Sequence, residues 1–122
     1  MTTYVVLLPG DESAWENATE EHRSAVYAKH GEFARVLAER GHTISGGAEL
    51  THSREAKVVR RAPSGITVTD GPYAETVEQL GGFYVVETDD LDDLLEVCAI
   101  LADGDGPVEV RTAKGGADGP TA

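Results

Sequence analysis

His30 is the side chain whose type and position most readily do chemistry. It falls on the apolar stripe Val26, His30, Phe33, Leu37, so its imidazole should face whatever that helix packs against. An imidazole titrates near neutrality and works as a general base or acid when a carboxylate orients its second nitrogen. Asp70 is the best available carboxylate, because it ends a strand-like run and opens the turn Asp70-Gly71-Pro72, from which it can project into a pocket. Both residues also have plainer readings: a core histidine bonded to a carbonyl or a tyrosine, and an aspartate capping the amides of its own turn. Tyr4, Tyr73 and Tyr84 can donate hydrogen bonds to a small ligand, although strand tyrosines more often pack with a polar tip. Arg60 can hold a carboxylate with both arms of its guanidinium. Trp15, the sole tryptophan, is either a lid over a pocket or a pin that fixes its loop to the neighbouring helix.

Other chemistries find less support. The histidines at 22, 30, 42 and 52 include no pair four residues apart, and the single cysteine, Cys98, removes cysteine-cluster metal sites and internal disulfides. Cys98 also lies on the apolar side of a helix, where it reads as a small core residue. Gly-x-Gly-x-x-Gly, P-loop and serine-elbow patterns are absent, so no metal and no cofactor is implied. The formal charge of −12, from 22 acids and 10 bases over 122 residues, argues against direct nucleic-acid binding. Residues 62–122 hold 13 acids and 2 bases, and eight of those acids lie between Glu87 and Asp105. With no apolar run approaching the roughly 18 residues of a membrane span, and no signal peptide, the expected location is the cytoplasm.

These residues need elements to position them. Tyr4–Leu8 is a strand closed by Pro9-Gly10, and Asp11–Thr19 reads as a polar loop. The periodicity then predicts a helix over 20–40, with Thr19 as N-cap and Gly41 as its stop. Thr43–Leu50 is a strand in which Gly46-Gly47 signals a bulge. Residues 57–60 and 66–69 form a hairpin, and 82–87 another strand. A second helix carries Leu91, Leu94, Leu95, Cys98 and Leu101 on one side and acids in its first turn. Val108–Arg111 closes the domain, 1–112, and the residues from 113 to 122 are a flexible tail. Two helices on one antiparallel sheet make an α+β, ferredoxin-like split βαβ sandwich with an extra β-hairpin. The sheet face opposite the helices, with Tyr4, Tyr84 and their neighbours, needs a cover, which predicts a homodimer through that face.

The run Asp70-Gly71-Pro72-Tyr73-Ala74-Glu75-Thr76, continuing through Glu78-Gln79-Leu80-Gly81-Gly82-Phe83-Tyr84, resembles the signature of the YCII-related, or DGPF-domain, family, with Tyr73 in place of the usual Phe. Val108-Glu109-Val110-Arg111 is similar to that family's closing strand. The resemblance spans residues 3–112 and implies a dimeric α+β barrel. The wider superfamily includes small cofactor-free enzymes acting on ring compounds, with a histidine in the first helix and an aspartate after the second. His30 matches that histidine. The aspartate's place falls near Leu101, and the nearest acids are Asp103 and Asp105. Two functions follow as expectations: proton transfer on a small cyclic or aromatic metabolite, with His30 and Asp70 as acid–base residues and Tyr4, Trp15, Arg60, Tyr73 and Tyr84 around the ligand, or a non-catalytic ligand- or partner-binding dimer with a regulatory role alongside an extracytoplasmic-function sigma factor.

Overall fold

The computed structural model describes residues 1–102 and 106–115. The expected positions Asp103 and Asp105, and the tail beyond Gly115, lie outside them. Among the described residues six strands and three α-helices follow in the order β1 (Thr2–Asp11), α1 (Glu12–Glu16), α2 (Glu20–Glu39), β2 (Thr43–Glu49), β3 (Lys57–Ala62), β4 (Gly65–Asp70), β5 (Glu78–Thr88), α3 (Leu91–Cys98) and β6 (Glu109–Thr112). The main sheet is antiparallel with strand order β2-β5-β1-β6, while β3 and β4 pair as a separate hairpin. With α2 and α3 as the crossovers, this is the ferredoxin-like α+β arrangement expected from the sequence.

The core lies between the sheet and the two long helices. Tyr4, Val6 and Val86 from the sheet meet Phe33 and Leu37 of α2 and Leu94, Val97 and Cys98 of α3. Each α2 anchor recurs at helical spacing, and Thr19 caps the helix by accepting a hydrogen bond from the His22 amide at 3.0 Å. Tyr4 and Tyr84 face this core rather than the bare side of the sheet, which corrects the sequence expectation. The alternates left on the other side are Val5, Leu7, Phe83 and Val85, all half-buried, with Val5 opposite Val85 and Leu7 opposite Phe83.

Two further departures have local causes. β1 runs through Pro9-Gly10 instead of stopping there. Pro9 is tolerated because, among the described residues, β6 pairs with β1 only from Tyr4 to Leu7, so beyond Leu7 the ladder runs to β5 alone, and a register shift falls between Leu7 and Pro9. The stretch read as a polar loop contains α1, whose first amides, Ser13 and Ala14, donate to the Asp11 carboxylate at 3.0 and 3.2 Å. Leu95, expected on the buried side of α3, is exposed; the helix ends at Cys98 and tightens into shorter bonds such as Ile100 N–H to the Val97 carbonyl.

Candidate functional site

The bulge anticipated at Gly46-Gly47 is present as a register shift between Ile44 and Gly46. Gly47 has φ +148°, and a Cβ built on it would stand 2.6 Å from the Phe83 carbonyl oxygen. Only glycine fits there. The kink bends β2 at one wall of a cleft of about 1060 Å³, bounded by α1, α2, the ends of β1 and β2, and the middle of β5. Its volume lies just above the range of about 300–1,000 Å³ typical of small-molecule sites.

His30 and Tyr84 meet in this cleft. The imidazole Nδ1 is 2.7 Å from the Tyr84 hydroxyl, and the two rings lie 5.9 Å apart at a 30° tilt. Tyr84 is wedged from below by the core residue Phe33, with ring centroids 5.1 Å apart. Both groups are half-buried, and burial dominates their electrostatics. It holds the His30 imidazole below its ordinary value of 6.5, partly offset by the negative charge of Glu49, and it pushes the Tyr84 phenol above 10, with Glu49 adding to the effect. At neutral pH the pair is therefore an uncharged imidazole beside an un-ionised phenol. With the proton on Nδ1 donated to the Tyr84 oxygen, Nε2 is left as a base and the phenol can donate its own proton onward; the opposite tautomer exchanges the roles.

The outer wall was not foreseen as a unit. Tyr27, one turn before His30, donates to the Glu49 carboxylate at 2.9 and 3.1 Å and stands perpendicular to Trp15, with ring centroids 5.6 Å apart. Arg23 donates to the carbonyl oxygen of Trp15 at 3.0 and 3.2 Å, and to that of Glu16, tying α1 to α2. On the far side Glu12 accepts from the Ser53 amide at 2.7 Å and Glu16 pairs with Arg54 at 2.8 Å. Trp15 thus both pins α1 and lines the cleft. The i, i+3 and i, i+7 spacing of Tyr27 and Arg23 from His30 was the available signal, since it places all three on one side of α2.

The other expected site residues lie elsewhere. Asp70 is exposed at the end of β4 and pairs with Lys57, its cross-strand neighbour, at 2.5 Å. Arg60 is on the same hairpin and donates to the Thr69 hydroxyl. Tyr73 is 86% exposed on the following loop, and Tyr4 is buried in the core; none of the four lines the cleft. The Asp70–Tyr73 signature instead shapes a turn: Gly71, at φ +100°, donates to the Ala56 carbonyl at 2.8 Å, and Gln79 reaches back to the carbonyls of Ala74 and Thr76 at 2.7 and 3.1 Å.

A second histidine cluster sits at the opposite end of α2. His42, 5% exposed, has Nδ1 2.7 Å from the Thr88 hydroxyl and Nε2 2.7 Å from Asp93, which also binds Arg40 at 2.8 Å. Its hydroxyl–imidazole–carboxylate order resembles that of a nucleophilic triad, but Thr88 is buried in the sheet at 3% exposure, so the cluster clasps β5, α3 and the end of α2 together. Cys98 is likewise inert, its thiol pushed up to about 11 by burial. No group of three or more metal-ligating side chains, and no helix long and apolar enough to cross a membrane, occurs among the described residues.

Fold and cleft together define a ferredoxin-like α+β domain with a lateral pocket floored by an imidazole–phenol pair. The chain belongs to the YCII-related domain family, whose sequence model matches residues 2–109. It is also 32% identical over 111 residues to an uncharacterized protein of Rhizobium meliloti (strain 1021), an alignment that covers 88% of this chain and 89% of that protein.

Proposed function

We propose that the cleft is a cofactor-free acid–base site for a small cyclic or aromatic oxygenated metabolite, with His30 as the proton-accepting group. The observation that carries this reading is the 2.7 Å contact of a half-buried, neutral imidazole with the Tyr84 hydroxyl on the floor of a ligand-sized cleft. In the reaction, Nε2 of His30 takes a proton from a carbon next to a carbonyl, and the electron pair of the broken C–H bond moves onto the carbonyl oxygen. The Tyr84 hydroxyl donates to that oxygen, and its own oxygen accepts from Nδ1 of the imidazolium that forms. Return of the proton to another position gives isomerisation; loss of a leaving group gives a lyase reaction. Trp15 and Tyr27 supply the ring-stacking wall.

The protein acts as a homodimer in this reading. Val5, Leu7, Phe83 and Val85 form an apolar strip on the sheet face away from the helices, and the hairpin presents Val59, Ile66 and Val68, each more than half exposed. The buried single thiol of Cys98 suits a cytoplasmic location. A second reading, a non-catalytic partner-binding dimer acting in regulation beside a sigma factor, draws on the same exposed hairpin face.

Chemical-shift mapping with a panel of small cyclic ketones, lactones and phenols tests the site. Perturbations should cluster on His30, Tyr84, Trp15 and Tyr27 and vanish in His30→Ala without a comparable fall in melting temperature. Perturbations that gather on the hairpin, or that survive His30→Ala unchanged, would remove the cleft from consideration.

A further inference from the structure

The cleft is walled unequally in charge. Among the described residues lining it are five carboxylates, against only Arg23 and Lys29 as permanent cations. The carboxylates differ in what they do. Glu12 is held by Ser53 and Glu16 by Arg54, so both stitch α1 to the 53–54 segment. Glu49 is different: its partner is the neutral hydroxyl of Tyr27, and it forms no ion pair among the described residues. Its charge reaches both groups on the cleft floor, where it favours the protonated forms of His30 and Tyr84. The cations have fixed places: Arg23 donates to the carbonyls of Trp15 and Glu16 and lies 5.8 Å from the centre of the Trp15 ring, while Lys29 has a partner of its own. Tyr27 stands next to Glu49 with Trp15 behind it, and aromatic faces attract positive charge, as the Arg23 guanidinium over the Trp15 ring already shows.

We infer that the cleft selects a ligand carrying a protonated nitrogen, an arylalkyl or cyclic amine, with Glu49 as the residue that reads its charge. An anionic ligand would meet five carboxylates, with Arg23 held by its bonds to the Trp15 and Glu16 carbonyls. The inference rests on the cleft being the ligand site and sharpens it from ring compounds in general to cationic ones. The ammonium donates to Glu49, its ring lies against Trp15 and Tyr27, and the bond activated by His30 and Tyr84 lies on the inner side of the same molecule. The overall charge of −12 concentrates such cations near the surface before binding.

Three probes of one shape decide it: benzylammonium, benzyl alcohol and benzoate, titrated into labelled protein at neutral pH and followed by chemical shift. Benzylammonium should bind about tenfold more tightly than benzyl alcohol, with benzoate weakest. Glu49→Gln should erase the ammonium's advantage over the alcohol, Glu49→Asp should restore much of it, and Asp89→Asn, outside the cleft, should alter neither ligand's binding. Benzoate matching or exceeding benzylammonium, or an ammonium preference that persists in Glu49→Gln, overturns the inference; shifts from the alcohol on His30 and Trp15 would then still uphold the cleft. If none of the probes shifts these residues, the cleft reading fails and the charge preference fails with it.

Discussion

The imidazole of His30 gains its character from two influences that pull in opposite directions. Burial disfavours its charged form, and Glu49 favours it, with burial the larger effect. Because the folded value lies below 6.5, the folded state binds this proton less readily than the unfolded chain does. The corresponding contribution to stability is complete above 6.5 and is lost as pH falls from there through the lower folded value. An imidazole 15N titration should accordingly place the His30 midpoint below 6.5, and Glu49→Gln should lower it further by removing the opposing charge. A midpoint above 6.5, or one that rises in Glu49→Gln, would contradict the described surroundings. At the same scale, Asp93 is held below its usual 3.8 first by its hydrogen bond from His42 and then by Arg40, so its contribution is present above 3.8 and disappears as pH falls through the lower folded value. Asp93→Asn should flatten that acid limb in a series of urea melts.

Among the elements, β2 and its glycine kink shape the site most directly. Gly47→Ala places a methyl group 2.6 Å from the Phe83 carbonyl at a backbone angle that L residues rarely adopt. It should cost about 1–3 kcal/mol, read as a lower denaturation midpoint, and should shift cleft resonances as well. Phe33→Ala, which removes the ring under Tyr84 from a fully buried position, should cost about 3–5 kcal/mol. The periods of two and of three to four residues made both long helices, the hairpin and the glycine bulge legible, because each is written in local spacing. What sequence leaves open is which partner His30 takes, a carboxylate, a carbonyl or a tyrosine. Asp70 has the right chemistry and a suitable turn, but the strand pairing that sets it opposite Lys57 keeps it on the separate hairpin. Tyr84 falls on the helix-covered face and not the bare one, because alternation along a strand says which residues share a side and not which side the helices cover. Antiparallel pairing of β1 with β5 then brought Val6 and Tyr84 together on the helix side. Pro9 misled for a similar reason, since whether a proline ends a strand depends on which edges are bonded.

For the whole molecule, the features to test in solution are the charge and the half-buried apolar strip on the sheet. The acid-rich run from Glu87 has local uses at the start of α3, where Asp90 accepts from the Asp93 amide at 3.0 Å and Asp93 meets His42 and Arg40. A dimer formed through the sheet should be broken by Val85→Lys, with the mass from light scattering falling by about half and the monomer retaining its helix content. An unchanged mass would shift attention to the hairpin. The central claim, that the His30–Tyr84 pair moves protons on a bound ring compound, is tested most directly by solvent exchange. The protein is incubated in D2O with a panel of cyclic carbonyl compounds, amine-bearing members included, and loss of the carbon-bound proton next to the carbonyl is followed by NMR. Exchange should be accelerated for at least one member, and His30→Ala should reduce the acceleration by roughly 10²–10⁴-fold at an almost unchanged melting temperature. Exchange no faster with protein than without it, or equally fast in His30→Ala, would contradict the account.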